Sequence, residues 1–164
     1  MEDLFRRVSI RKFEPREVED AKIREILRAS MQAPSAGNQQ PWEFYVVKNK
    51  EMLGNLAKAS PYAGPVANAP VAIVTAYREK CLMSEYAQID LSICMENMWI
   101  ETDALGLGGV WLGIAPLEDR MTYVEKTVGI PEGQRAFGIF ALGYPAQTRT
   151  QQDRFDESRI HVVE

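Results

Sequence analysis

The chain has 164 residues, of which 46% are hydrophobic and 26% charged, and its formal net charge is −4. This length and apolar content suit one domain over residues 1–164 with a sizeable core, whereas the acidic balance argues against nucleic acid or an anionic membrane as a general partner. No apolar run approaches the roughly 20 residues that a membrane span requires.

Two helices and two strands are expected in the first half of the chain. The apolar side chains of Ile23, Ile26 and Met31 recur at helical spacing, and Pro34 closes that helix because proline cannot continue it. The stretches WEFYVVK and PVAIVTA are rich in aromatic or β-branched residues and predict strands. The expected elements are a helix over about 19–32, a strand at 42–48, a short helix around 52–56 and a strand at 70–76.

The second half predicts the longest helix of the chain, then an amphipathic helix and a further strand. Gly106 is placed to end the longest helix, and the segment GIPEG ends the next one. The tail that follows is polar, but its final IHVV could pair as an edge strand. The expected elements are helices over 84–105 and 117–128, a strand at 136–143 and the tail from Tyr144 to Glu164. This order lacks the regular strand–helix alternation of a doubly wound sheet.

The long helix over 84–105 is apolar on more than one side. One group of apolar residues forms a stripe at helical spacing, and a second group lies largely outside it. A helix that is apolar on most sides is buried on most sides, so another subunit is the expected cover of the second group. The stripe comprises Ala87, Leu91, Cys94, Met98 and Leu105, and the second group comprises Ile89, Ile93, Trp99 and Ile100.

The sequence offers no support for metal, triad or P-loop chemistry. His161 is the only histidine, and the G-x-S-x-G and G-x-x-x-x-G-K-[ST] motifs are both missing. Cys81 and Cys94 lack C-x-x-C spacing and are interpreted as packing residues. The first residues lack the apolar core of a secretory signal, so the expected location is the reducing cytoplasm.

The stretch APSAGNQQPWEF, residues 33–44, combines side-chain amides with aromatic rings directly after a helix. A surface loop would explain the amides, but Trp42 and Phe44 favour burial. A core segment would explain the rings but would leave the amides in need of partners. We therefore expect a loop that folds against something flat and polar.

The stretch GLGGVWLG, residues 106–113, has two interpretations. It begins like a dinucleotide-binding fingerprint, but Trp111 stands where the third glycine belongs and the stretch follows a helix instead of a strand. One interpretation is a helix cap that runs into a strand. The other is that its glycines let the backbone approach a ligand, with N–H groups free to bond it.

The stretch RRVSIRKF, residues 6–13, also has two interpretations. In an extended segment its alternation would place Arg7, Ser9 and Arg11 on one face. Two guanidinium groups and a hydroxyl make a good cradle for an anion, most commonly phosphate. The alternative is a solvated basic face near the N-terminus.

Taken in order, RRVSIRKF, APSAGNQQPWEFYVV, GLGGVWLGI, GIPEG and ALGYPA make the chain resemble the nitroreductase family of flavin enzymes. The resemblance extends from about Arg6 to beyond Pro145. It implies an α+β fold, with a mostly antiparallel central sheet flanked by helices, in an intertwined homodimer. It also implies one FMN per subunit at the dimer interface, where the amide-rich loop of one subunit folds against the flavin held by the arginine segment of the other.

The resemblance assigns the cationic residues to the two ends of the cofactor. Arg7 and Ser9 would hold the FMN phosphate, and Arg11 would approach the N1/O2 edge of the ring, where a cation favours the reduced flavin. Arg154 would be the C-terminal phosphate-binding cation, with Arg149 as the weaker claimant.

The other residues that the resemblance assigns to FMN binding lie in the three stretches RRVSIRKF, APSAGNQQPWEF and GLGGVWLG. Val8 replaces an arginine that is common in the family's motif, and its side chain would face away from the cofactor. The loop residues would pack on the flavin or donate hydrogen bonds, and the glycine strand would lie along the ring near N5. These residues are Pro34, Ser35 and Ala36 for packing, Asn38 and Gln40 for hydrogen bonds, and Trp111, Leu112 and Gly113 along the ring.

The implied reaction is hydride transfer from NADH or NADPH to FMN and then to a small planar acceptor on the same flavin face. The acceptor could be a nitroaromatic, a quinone, an enone or a free flavin. Such a ping-pong cycle needs no protein nucleophile or general base, so no catalytic residue is assigned. The alternative is an FMN-binding sensor, store or partner-fed electron carrier that does not turn over nicotinamide.

Overall fold

A four-stranded antiparallel sheet lies at the centre of the computed structural model, which describes residues 2–164. The strand order is β1-β2-β4-β3, so the first and third strands in the chain form the two edges. The three strand predictions are confirmed to within a few residues, and the glycine stretch supplies the fourth strand. The strands are β1 (Trp42–Val47), β2 (Val71–Arg78), β3 (Gly108–Gly113) and β4 (Gln134–Gly143).

Among the described residues, five α-helices accompany this sheet. Four of them were predicted, and the first was not, because a single turn at the terminus carries no readable periodicity. The longest helix begins three residues later than predicted, since residues 84–86 form a 3-10 turn. The helices are α1 (Glu2–Arg6), α2 (Asp20–Ser30), α3 (Lys50–Leu56), α4 (Ala87–Ala104) and α5 (Glu118–Val128). In the described part of the chain, none of the helices has the length and apolar character needed to span a membrane.

Alternating side chains of the strands divide the core between the two faces of the sheet. On one face, Ile73 and Phe140 pack with α2 and the buried stripe of α4. On the other face, Val74 and Ile139 pack with α3 and α5. Four of the five stripe residues of α4 are buried as predicted and Leu105 is half-buried, whereas Ile89 and Ile93 of the second group are exposed in the single chain.

The N-terminal segment after α1 and the tail after β4 run antiparallel to each other. Their pairing keeps one antiparallel register, so that the residue number in the tail falls by as much as the number in the N-terminal segment rises. The hydrogen-bonded pairs are Glu14 with Tyr144, Lys12 with Ala146, Ser9 with Arg149, and Arg7 with Gln151. The predicted edge strand IHVV is not formed within this chain, because residues 160–164 belong to no strand and are exposed.

Candidate functional site

Three of the four glycines in residues 106–113 have a clear role in the fold. Gly106 has φ +72° directly after α4, where a left-handed residue ends the helix. A Cβ on Gly108 would lie 2.5 Å from Cγ1 of Ile10, and one on Gly109 would meet an aromatic ring of β4 at 2.4 Å. Gly113, by contrast, borders open space. The cap-and-strand interpretation is therefore confirmed, and of the three glycines in the strand only Gly113 has open space on its Cβ side.

The outer edge of β3 presents backbone groups that do not face β4. The carbonyl of Gly109 accepts a hydrogen bond from the N–H of Ile10 at 2.9 Å, so it points away from β4. Backbone polar groups alternate between the two sides of a strand, and the N–H groups of Trp111 and Gly113 therefore point to the same outer edge. Leu112 points its backbone to β4 and buries its side chain in the core.

Arg7 is held against α4. Its guanidinium carbon lies 4.1 Å from the centroid of the Trp99 ring, and its Nε lies 3.4 Å from Oε1 of Glu96. The Arg7 side chain is 14% exposed. Among the described residues, Nε1 of Trp99 is a buried nitrogen without a hydrogen-bond partner. The largely buried guanidinium of Arg7 and the unpaired N–H group of Trp99 therefore lie side by side.

The segment around Arg7 keeps the predicted alternation on its apolar side. Val8 and Ile10 pack against the core on the α3 and α5 face, opposite the α4 face that Arg7 contacts. The side chain of Val8 therefore points away from the face that carries the Arg7 side chain. Arg11 is exposed and lines a surface cavity of about 500 Å³ together with Asn68.

The tail brings Arg149 to Ser9. Nη1 of Arg149 donates to the carbonyl of Ser9 at 3.4 Å, and Nε2 of Gln151 donates to the carbonyl of Arg7 at 2.9 Å. Arg154 is exposed and lies beyond this paired part of the tail. We call the set of Arg7, Ser9 and Arg149, which lie on the paired part of the N-terminal segment and the tail, the arginine corner.

The amide loop, residues 35–40, has an unusual backbone and an exposed polar surface. Gly37, Asn38 and Gln40 all have positive φ, at 56°, 53° and 46°. The N–H of Gln40 donates to Oγ of Ser35 at 3.0 Å, and Nε2 of Gln40 donates to Oδ1 of Asn38 at 2.9 Å. Asn38, Gln40 and the preceding Pro34 are exposed, while Ser35 and Ala36 are half-buried.

Sequence reasoning missed the residues that hold this loop. Oδ1 and Oδ2 of Asp90 accept hydrogen bonds from the N–H of Ala36 at 2.9 Å and from Nε2 of Gln39 at 2.6 Å. Arg78, at the end of β2, donates to the carbonyl of Gln40. The available signal was a carboxylate directly beside the apolar stripe of α4, next to Leu91.

Within one chain, the arginine corner and the amide loop lie at opposite edges of the sheet. The arginine corner borders β3 through the bridge between Ser9 and Gly109, and the loop leads directly into β1 at Trp42. Three strand spacings separate these edges, which is about 14 Å. The structure therefore brings Arg7 and Ser9 to the glycine strand but does not bring Asn38 and Gln40 to them.

Neither cysteine resembles a reactive nucleophile. Cys94 is fully buried in α4, and burial raises the pKa of its thiol to about 12. The packing interpretation is confirmed for Cys94, whereas Cys81 is half-buried.

Comparison with known proteins matches almost the whole chain. The model of the nitroreductase family matches residues 4–79 and 60–144. A protein of Methanothermobacter thermautotrophicus named "Putative NADH dehydrogenase/NAD(P)H nitroreductase" is 40% identical over 168 residues, which cover 99% of this chain and 85% of that protein.

Solved structures agree with this match. The crystal structure of a "Putative NADH Oxidase" from Clostridium acetobutylicum has a TM-score of 0.95 and 40% identity, covering 99% of each chain. An FMN-dependent nitroreductase from Clostridium difficile R20291 has a TM-score of 0.92 and 27% identity, covering 99% of this chain and 98% of that one. The predicted α+β fold with its antiparallel sheet is thus confirmed.

Proposed function

This chain belongs to the nitroreductase family, and from that premise we propose that it passes hydride from NADH or NADPH through FMN to a small planar acceptor. It is an NAD(P)H-dependent oxidoreductase with FMN as its cofactor, in keeping with the names of its relatives. Bound FMN would supply the redox chemistry that links the nicotinamide to the acceptor. The protein's own residues bind the cofactor, orient it and shape access to it.

The arginine corner fits the phosphate end of FMN, and this observation carries the proposal. Its donors are the guanidinium groups of Arg7 and Arg149 and the hydroxyl of Ser9, and charge-assisted bonds from such donors are the strong ones. The buried, unpaired Nε1 of Trp99 is a further donor beside Arg7. We propose that Arg7 and Ser9 hold the phosphate, while the exposed Arg11 lies near the N1/O2 edge of the ring.

The outer edge of β3 fits a ring that carries hydrogen-bond acceptors. The backbone N–H groups of Trp111 and Gly113 point to this edge, and Gly113 borders open space. A backbone donor on a rigid strand is well suited to orient N5, where hydride arrives and leaves. Leu112 and Val8 would contribute through their backbone only, because their side chains pack into the core.

A second copy of the chain is the proposed source of the amide loop. Pro34, Ser35 and Ala36 would pack on the flavin of the partner subunit, and Asn38 and Gln40 would donate to it. The separation of loop and arginine corner within one chain supports this arrangement. So does the exposed side of α4, where Ile89 and Ile93 are 54% and 37% exposed. The unpaired tail at 160–164 would then be free to pair with the partner.

We further propose that residues 1–164 form a single FMN-binding domain that works in the cytoplasm. Both cysteines are unpaired thiols, which suits a reducing compartment, and NAD(P)H is an intracellular reductant. One open ring face would serve donor and acceptor in turn, which gives ping-pong kinetics.

The test is anaerobic mixing of the FMN-loaded protein with NADH and with NADPH, while the absorbance of the oxidised flavin is followed. We expect one or both nicotinamides to bleach the flavin band, and an acceptor such as a quinone or a nitroaromatic to restore it. A protein that remains colourless with added FMN would contradict the cofactor assignment. Flavin that is reduced by dithionite but by neither nicotinamide would favour the sensor or carrier alternative.

A further inference from the structure

Asp90 is a buried carboxylate whose two oxygens are both used by the amide loop. It lies in the first turn of α4 and is 3% exposed. Oδ1 accepts from the N–H of Ala36 and Oδ2 accepts from Nε2 of Gln39. Burial of a charge is costly unless hydrogen bonds satisfy it, so this side chain and the loop depend on each other.

The carboxylate also determines how the amide of Gln39 is oriented. A carboxylate only accepts hydrogen bonds, so the NH₂ group of Gln39 must face Asp90. Its Oε1 is thereby directed to Met83, where it accepts from the backbone N–H at 2.8 Å. Nε2 of Gln39 also donates to the carbonyl of Met83 at 3.0 Å. The Gln39 amide therefore pairs with the backbone of residues 79–86, which we call the adjoining segment.

The loop needs such outside support because its backbone is strained. Asn38 and Gln40 have positive φ without being glycines, and such residues persist only where the surroundings hold them. The support comes from Asp90, from Arg78 and from the adjoining segment, whose Leu82 side chain closes over Gly37. These contacts hold the part of the loop in which Asn38 and Gln40 lie.

We propose that Asp90 is a positioning residue, which acts through Ala36 and Gln39 to hold the amide loop in its FMN-binding shape. It also joins that loop to the adjoining segment, so the two order together. Asp90 itself does not touch the cofactor. This inference rests on the proposed function, because it assigns the loop to flavin binding.

The first test replaces Asp90 by asparagine, with Ser92→Ala as the matched control on the same helix. An asparagine amide carries one acceptor and one donor group, so in either orientation its NH₂ group faces the N–H of Ala36 or the NH₂ group of Gln39, and two donors cannot pair. We expect Asp90→Asn to raise the dissociation constant for FMN at least about tenfold, the effect of losing one hydrogen bond to a charged group. In the cofactor-free protein, it should also speed amide hydrogen exchange both in the loop and in the adjoining segment. Ser92→Ala, which removes only a bond to the Gln88 carbonyl, should change neither quantity.

The second test exchanges donor and acceptor. Gln39→Glu alone would set two carboxylates face to face and should weaken FMN binding as well. In the double variant Asp90→Asn with Gln39→Glu, the introduced asparagine amide can donate to the introduced carboxylate. The double variant should therefore recover at least part of the affinity and of the exchange protection. Additive losses without recovery would mean that the hydrogen bond between Asp90 and Gln39 is not what holds the loop.

The outcomes separate this inference from the proposed function. If the wild-type protein does not bind FMN, the proposed function fails, while hydrogen exchange in the cofactor-free protein still decides whether Asp90 holds the loop. Unchanged affinity and exchange in Asp90→Asn would overturn the inference. If that variant does not fold, Gln39→Met removes the bond between Gln39 and Asp90 from the loop side. It should then raise the FMN dissociation constant and loosen the adjoining segment, and a wild-type result would overturn the inference.

Discussion

The guanidinium of Arg7 stacks on the indole ring of Trp99, with 4.1 Å between the guanidinium carbon and the ring centroid. Cation–π contacts of this kind contribute about 0.5–2 kcal/mol, depending on how far the pair is removed from water. Glu96 adds an ion pair, with 3.4 Å between its Oε1 and Nε of Arg7. Arg7 is thereby held in one orientation before an anion arrives, which reduces the entropic cost of binding.

Replacement of Arg7 by Ala should weaken FMN binding by about 1.5–3 kcal/mol, the usual scale for a lost hydrogen bond to a charged group. Arg7→Lys should lie in between, because an ammonium keeps the charge but loses the planar fork and the stacking. Flavin fluorescence titration measures both. Arg24→Ala, which removes an exposed arginine of α2, is the control. Equal affinity in the Arg7 and Arg24 variants would show that the phosphate lies elsewhere.

Arg149 and Arg154 compete for the role of the second phosphate ligand. The assignment to Arg154 stays a prediction, but the structure places Arg149 beside Ser9. We therefore expect Arg149→Ala to raise the FMN dissociation constant about tenfold or more, as loss of a charged hydrogen bond would. A matched titration of Arg154→Ala decides between them, since a larger loss in that variant would restore the original assignment.

The exposed side of α4 should be the dimer interface. A charge at Ile93 would be buried without a partner there, which is strongly unfavourable, so Ile93→Glu should yield monomers that bind FMN poorly. Analytical ultracentrifugation measures the change. Leu117→Glu, at an exposed position before α5, should leave the dimer intact. A wild-type protein that sediments as an FMN-loaded monomer would refute the proposal.

Steady-state kinetics should show parallel double-reciprocal plots for nicotinamide and acceptor. Donor and acceptor would use one open ring face in turn, so the two cannot bind together. High acceptor concentrations should inhibit competitively against nicotinamide for the same reason. Intersecting lines would mean that both substrates bind at once, and the single shared face would then be wrong.

Glu125 should contribute more to stability than Glu118, although both bind Arg135. Glu125 is 19% exposed, and its Oε1 accepts from Nε of Arg135 at 2.9 Å and from the N–H of Ala136 at 3.0 Å. Glu118 is 74% exposed, and its Oε2 accepts from Nη2 of Arg135 at 2.6 Å. We expect Glu125→Gln to lower the free energy of unfolding by about 1–3 kcal/mol, and Glu118→Gln by about 0–1 kcal/mol.

Urea unfolding of the two variants provides the comparison. Hydrogen bonds to Glu118 and Glu125 raise the pKa of Arg135, in keeping with a guanidinium that stays charged throughout. Equal losses in the two variants would mean that the bond to Ala136, which ties α5 to β4, contributes nothing.

The sequence by itself determined the elements that depend on local patterns. The helical spacing of Ile23 and Ile26 and the β-branched run of PVAIVTA reflect which side chains must leave water, and the structure contains both elements. The surplus of apolar residues on α4 likewise followed from the sequence, since the stripe around Leu91 is buried and Ile89 is left exposed. Five ordered motifs were also enough to recognise the family.

Only the tertiary structure decided which distant residues meet. The partners of Asp90 lie more than 50 positions earlier in the chain, and Arg149 meets Ser9 only because the tail folds back along the N-terminal segment. Gly108 and Gly109 leave room for the side chains of Ile10 and Phe140. No local sequence pattern reveals these two contacts. Periodicity reflects which side chains are buried and which stay in water, and this can be read from the local sequence. Hydrogen bonds between remote segments depend instead on how the whole chain is packed.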